Sequence, residues 1–219
     1  SLRAGMDNLV EDLNICSQKG LAERFDATIG SGTVCMPFGG KYQMTPSQVM
    51  AAKIPVLDGE TDTASLMAYG YDPELSSLSP YKGAMAAVIE AMSKLVAAGI
   101  DPKHAWLSFQ EYFGRTGDDP EKWGKPFAAL LGALKAQAEL EVAAIGGKDS
   151  MSGTFEDIDV PPTLIAFAVS TAKASRIVTN EWKAKDHYIY AVMPEYDENG
   201  IADFNSVRDV FDKVYSLIS

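Results

Sequence analysis

The residues most able to do chemistry stand together in Ile145-Gly146-Gly147-Lys148-Asp149-Ser150-Met151-Ser152-Gly153-Thr154. Two adjacent glycines predict a sharp turn that exposes consecutive amides, a nest of N–H donors suited to an anion. Lys148 adds a point charge, and Ser150 and Ser152 add hydroxyl donors. The spacing is not that of a Walker loop, which needs Gly-x-x-x-x-Gly-Lys-Ser/Thr, because Asp149 stands between the lysine and the serine. No Gly-x-Gly-x-x-Gly follows a strand. The competing reading is a tight turn with a surface lysine and an Asx turn or helix cap from Asp149. Asp149 also opposes a purely anionic ligand unless it holds a metal, a hydroxyl or Lys148 itself.

A polar, glycine-rich segment of this kind needs rigid elements on both sides. Apolar residues at three- and four-residue spacing predict a helix over 6–19, ended by Gly20. A link over 24–30, a strand over 33–36 and a turn over 37–40 follow. Strands are expected at 49–56 and 63–69, and a loop at 71–80, where Pro73, Pro80 and several serines cluster. Residues 81–98 predict a strong helix, with Met85, Val88, Ile89, Met92, Leu95 and Val96 on one face and Gly99 as its stop. A strand over 104–113 leads to a second long helix over 120–140. Pro120 suits a first turn, although Pro126 would allow a start nearer Lys125. Strands at 163–169 and 187–193 flank a charged connection over 173–186. A turn over 194–200 and a helix over 204–218 end the chain. The order predicts an α/β (α+β) domain, a mixed sheet with helices packed on it.

The totals bound the function. The chain has 219 residues, 47% of them hydrophobic, enough for one large core. A net charge of −11, spread along the chain, argues against nucleic acid and anionic membrane as partners. No apolar run approaches the roughly 20 residues that cross a bilayer. No leader-like segment opens the sequence, and the two cysteines, Cys16 and Cys35, have no metal-ligand spacing. A cytoplasmic setting is the expectation.

These residues together resemble phosphoribosylformylglycinamidine synthase, the glutamine- and ATP-dependent ligase of purine biosynthesis. Residues 146–152 resemble that family's Gly-Lys-Asp-Ser-Met-Ser signature. Arg24-Phe25-Asp26-Ala27-Thr28-Ile29-Gly30-Ser31-Gly32-Thr33-Val34, Met36-Pro37-Phe38-Gly39-Gly40-Lys41-Tyr42-Gln43, Phe109-Gln110-Glu111-Tyr112-Phe113 and Ile165-Ala166-Phe167-Ala168-Val169 are similar to the family as well. The resemblance runs over roughly residues 14–175 and is nearest to the long, single-chain form.

That resemblance implies an architecture. The full enzyme repeats a two-domain unit related to aminoimidazole ribonucleotide synthetase and ends in a glutamine amidotransferase domain. Residues 1–30 would be the tail of the preceding repeat. Residues 31–174 would be the second N-type domain, with the N-terminal-domain fold of that superfamily: a mixed sheet with helices on one face. Residues 175–219 would open the following C-type domain. The terminal helix would then stop at Ser219 as the edge of an excised piece, inactive alone.

The resemblance also implies a mechanism and site residues. ATP phosphorylates the amide oxygen of formylglycinamide ribonucleotide, and ammonia released from glutamine displaces phosphate to give the amidine. Gly146, Gly147, Lys148, Asp149, Ser150 and Ser152 would face the substrate phosphate across a pseudo-dimer interface, or merely brace that interface. An auxiliary site would hold ATP or ADP with Mg2+. Glu90 falls on the family's magnesium-binding glutamate, but Lys94 replaces the asparagine that should follow, and a charged lysine ligates no metal. Nearby aspartate positions are Gln48 and Ser79 here. Glu90 read without the resemblance is a solvated acid on a helix's polar face. Lys19, Arg24 and Asp26 would lie towards nucleotide, or be surface charges. Of Gln110 and Glu111, one should point inward, because strand side chains alternate. His104, His187, Trp106, Trp123 and Trp182 read as ordinary structural residues.

Two alternatives share the fold. One is a free-standing nucleotide- or phosphate-binding module that dimerises through its sheet. The other is a relative of selenophosphate synthetase or thiamine-phosphate kinase, disfavoured because no aspartate-rich cluster lies near the N-terminus.

Overall fold

The computed structural model describes residues 1–219 apart from Asn14 and Asp26. Helix α1 (Leu2–Glu11) and the short α2 (Lys19–Ala22) precede strand β1 (Thr33–Cys35), the hairpin strands β2 (Phe38–Gly39) and β3 (Thr45–Pro46), and strand β4 (Met50–Lys53). Then come β5 (Thr63–Gly70), α3 (Pro73–Leu78), α4 (Pro80–Ala97), β6 (Trp106–Tyr112), α5 (Pro120–Leu140) and β7 (Ala144–Lys148). The small hairpin β8 (Thr154–Phe155) and β9 (Ile158–Asp159), the long strand β10 (Thr163–Lys173) and helix α6 (Phe204–Ile218) complete it.

Six strands form one sheet in the order β1-β4-β5-β10-β6-β7. All neighbours are antiparallel except β6 and β7, which run parallel. Alternation decides which face is covered. Ala64, Leu66 and Ala68 of β5 and Leu164, Ala166, Ala168 and Ser170 of β10 are buried against the helices. Their partners on α4 are Ala84, Ala87, Val88, Ala91, Met92 and Leu95. Alanine on both surfaces lets helix and sheet approach closely. At Gly70 a Cβ would lie 2.1 Å from the carbonyl oxygen of Ala87, so only glycine fits under α4. Leu66, Leu95 and Leu107 are fully buried, each stabilising the core by about 1.5–3 kcal/mol.

The opposite face carries Met67, Tyr69, Phe167, Trp106 and Tyr112 and is not covered by any described element. Tyr69 and Phe167 meet on it as tilted rings, 6.4 Å between centroids and 48° between planes.

Several elements differ from expectation. The 71–80 loop contains α3, because Asp72 accepts from the amide of Leu75 and Pro73 starts the helix. Ser79 ends α3 and caps α4, accepting from the amide of Lys82. The helix expected over 6–19 runs over Leu2–Glu11, and Gly20 lies inside α2 rather than ending a helix. The 37–40 turn supplies half of a hairpin. Helix α5 starts at Pro120 with Asp119 as its cap and passes through Pro126. The 187–193 strand does not form: these residues have no regular structure, and Tyr188, Ile189 and Tyr190 are exposed. A strand needs a neighbour to take its backbone groups, and no described strand lies beside this segment. Phe204, Val207 and Phe211 of α6 enter the main core with α4, so one core draws on residues from both sides of position 174.

Candidate functional site

The signature residues do not form a turn. Gly146, Gly147 and Lys148 are extended and belong to β7, the parallel edge strand of the sheet, with Ser108 opposite Gly146, Phe109 opposite Gly147 and Gln110 opposite Lys148. Neither glycine has a positive φ. Gly147 is required for another reason: a Cβ there would lie 2.7 Å from the carbonyl oxygen of Phe109. The expected nest is thus replaced by a strand edge. Because β7 pairs on one side only, its outward N–H groups remain free to donate.

Beyond Lys148 the chain rounds the end of β6. The amide of Phe113 donates to the carbonyl of Ser150 (2.9 Å), and that of Gly153 donates to the carbonyl of Phe113 (2.8 Å). The hydroxyls of Ser150 and Ser152 meet at 2.7 Å. Gly146, Gly147, Lys148, Asp149 and Ser152 are exposed, and Ser150 is half-buried. Among the described residues, the ammonium of Lys148 has no hydrogen-bond or ion-pair partner. One edge therefore gathers free amides, two hydroxyls and an unpaired cation beside one carboxylate.

The alternation of β6 settles which polar residue points inward. Leu107, Glu111 and Phe113 are buried on the helix side, while Gln110 is exposed beside Lys148. Glu111 is only 7% exposed, and its Oε1 has no hydrogen-bond partner among the described residues. Burial, and then the nearby Asp149 carboxylate, push its pKa from the ordinary 4.5 up to about 7. Near neutral pH this carboxyl carries its proton about half the time and can donate as well as accept. The pattern Leu107, Phe109, Glu111, Phe113 held that assignment in the sequence.

Glu90 occupies a different place, on α4 beside the end of β5. Its Oε2 accepts from the amide of Tyr71 (3.0 Å) and its Oε1 pairs with the ammonium of Lys94 (2.7 Å). Both carboxylate oxygens are engaged. No group of three His, Cys, Asp or Glu among the described residues could hold a metal ion. This donor set does not fit the magnesium that the resemblance implies. Gln48 lines a cavity of about 240 Å3 with Cys35, Ser93 and Lys94, and Ser79 serves as a helix cap.

Lys19 pairs with Glu23 and lies 5.8 Å from the ring centre of Phe38, beside a cavity of about 320 Å3. Arg24 is exposed and does not line that cavity, and Asp26 lies outside the described residues. These residues precede β1 at one sheet edge, whereas β7 is the other edge. Five strand spacings, roughly 24 Å, separate the two. The signature edge and the Lys19 cavity are therefore two places, not one site. His104 lies 3.3 Å from Asp101, and the indole of Trp123 donates to the carbonyl of Gly117.

The mixed sheet with helices on one face is a fold shared with solved PurL structures. Within it, the chain is similar to phosphoribosylformylglycinamidine synthase subunit PurL of Picrophilus torridus, 23% identical over 187 residues, which are 84% of this chain and 24% of that protein. It is also similar to Thermotoga maritima PurL complexed with AMPPCP, with a TM-score of 0.68 at 18% identity over 94% of this chain and 31% of that one. The same protein complexed with FGAR gives a TM-score of 0.60 at 16% identity over 86% of this chain and 27% of that one. At these identities the structural likeness shows the fold. No protein-family model matches the chain. The chain spans about a fifth to a quarter of the length of the curated relatives it matches.

No helix among the described residues is long and apolar enough to cross a membrane.

Proposed function

We propose that this chain contains, over residues 31–174, the second N-type domain of a phosphoribosylformylglycinamidine synthase, and that its signature edge holds the phosphate of formylglycinamide ribonucleotide. The observation that carries the reading is the unpaired Lys148 on an exposed strand edge, followed at once by Asp149, Ser150 and Ser152. Lys148 and the outward amides of 147–150 donate to the phosphate oxygens, joined by the hydroxyls of Ser150 and Ser152. Asp149 would repel the phosphate, and instead accepts from a hydroxyl of the ribose. The chain's part in the reaction is positioning. Phosphorylation of the amide by ATP and displacement by ammonia from glutamine take place in the intact protein, with the amidotransferase domain supplying the ammonia. The piece alone is inactive. The uncovered sheet face, with Met67, Tyr69, Phe167 and Trp106, is the surface that meets the other repeat.

In the intact protein, Lys148→Ala should raise KM for the ribonucleotide and lower turnover. A charge-assisted hydrogen bond contributes about 1.5–3 kcal/mol, or about 10- to 150-fold in kcat/KM. Glutaminase activity should stay as in the wild type. Unchanged ribonucleotide kinetics would reduce Lys148 to a surface lysine.

A further inference from the structure

The resemblance implies a metal at Glu90, yet the geometry there describes a cation already in place. Glu90 and Lys94 lie one turn apart on α4, on the face that meets the end of β5. The Lys94 ammonium lies 2.7 Å from Oε1 of Glu90 and donates to the carbonyl of Tyr69 (2.8 Å). It also stands 4.6 Å from the centre of the Tyr69 ring. Carboxylate, carbonyl and ring face together use the whole coordination capacity of an ammonium. The Lys94 side chain is only 16% exposed, so the lysine is packed in place against a Glu90 side chain that is 42% exposed. The second oxygen of Glu90 is fixed by the amide of Tyr71, two residues beyond Tyr69.

A carboxylate and a main-chain carbonyl, both hard oxygens, are also the donors on which a divalent ion would sit. The ammonium takes both, and a second cation so close would be strongly repelled. The two positions where the resemblance would place further aspartates are neutral here. Gln48 is a neutral amide on the adjoining cavity, and the hydroxyl of Ser79 caps α4.

We propose that Lys94 is a built-in replacement for a divalent cation: its ammonium bridges Glu90 and the Tyr69 carbonyl, pins β5 to α4, and leaves this position closed to magnesium and to a magnesium-bound nucleotide. The inference rests on the geometry around Glu90, and its test does not use the ribonucleotide kinetics that test the signature edge.

The probe is Mn2+ alone, counted by electron paramagnetic resonance on the intact protein that carries this chain. Glu90→Gln should bind as many Mn2+ ions as the wild type, and Lys94→Arg should also keep the wild-type count. Lys94→Asn frees both oxygens and should gain one ion per chain, and Glu90→Gln/Lys94→Asn should lose that ion again. Loss of one ion in Glu90→Gln alone would overturn the proposal, because Glu90 would then hold metal despite Lys94. A folded Lys94→Asn protein with the wild-type count would overturn it too. If Lys94→Asn fails to fold, the Glu90→Gln count still decides between the two accounts.

Discussion

Glu111 makes the stability of this protein depend on pH in a way the sequence composition would not suggest. The carboxyl is buried with an unpartnered oxygen, and its pKa rises from 4.5 to about 7 through burial first and Asp149 second. Between those values the folded chain binds a proton that the unfolded chain has released. Stability therefore falls as pH rises through this window, by about 1.4 kcal/mol per pH unit at most. The whole window is worth about 3 kcal/mol, an upper bound because the exposed Asp149 lies in solvent that screens it. For a chain of 219 residues that corresponds to roughly 6–12 °C in Tm. The perturbation is Glu111→Gln, which keeps the shape and removes the titration. The assay is urea unfolding at closely spaced pH values from 4.5 to 8. The Gln amide adds a constant offset at every pH, so the difference between the two slopes is the informative quantity. The wild type should lose stability relative to Glu111→Gln as pH rises, with most of the loss complete by pH 8. Parallel curves would refute the argument, showing that Glu111 is solvated or paired in solution. Asp149→Asn should narrow the window from its upper end and so remove only the smaller part of the total loss.

Other perturbations follow from the packing. Gly147→Ala places a Cβ 2.7 Å from the Phe109 carbonyl, so β7 must move off β6 at a cost of about 1–3 kcal/mol, read by denaturant unfolding. Asp72→Ala removes the cap of α3 and should cost about 1 kcal/mol, while Asp72→Asn should restore most of it. Tyr69→Lys with Phe167→Lys should weaken the contact of the open sheet face with the other repeat and lower the unfolding temperature of the intact protein, read by differential scanning calorimetry. An unchanged unfolding temperature would place that contact elsewhere.

The long, strongly patterned elements were legible. The stripe Met85, Val88, Met92, Leu95 sets α4 within one residue at each end, and the alternation in β5 and β10 marks the covered face. What was not legible depends on contacts far apart in the chain. Gly146-Gly147 reads locally as a turn, yet the reason for Gly147 is the backbone of Phe109, 38 positions earlier. The serines and prolines of 71–80 read as loop, although Asp72 with Pro73 and Ser79 with Pro80 are two helix starts in succession. Residues 187–193 have the apolar content of a strand but no described partner to pair with. The candidate site was readable only as residue types standing together in the chain. Residue types named Lys148, Asp149 and the serines, whereas the engagement of Glu90 by Lys94 needed the end of β5 to be seen beside α4.

The central claim, that the signature edge holds the ribonucleotide phosphate, is tested most directly by a crystal structure of the intact protein with formylglycinamide ribonucleotide bound. The account predicts phosphate oxygens within hydrogen-bond distance of the Lys148 ammonium and of main-chain amides in 147–150. A fully occupied ribonucleotide whose phosphate lies elsewhere, with β7 facing only protein or solvent, would contradict it.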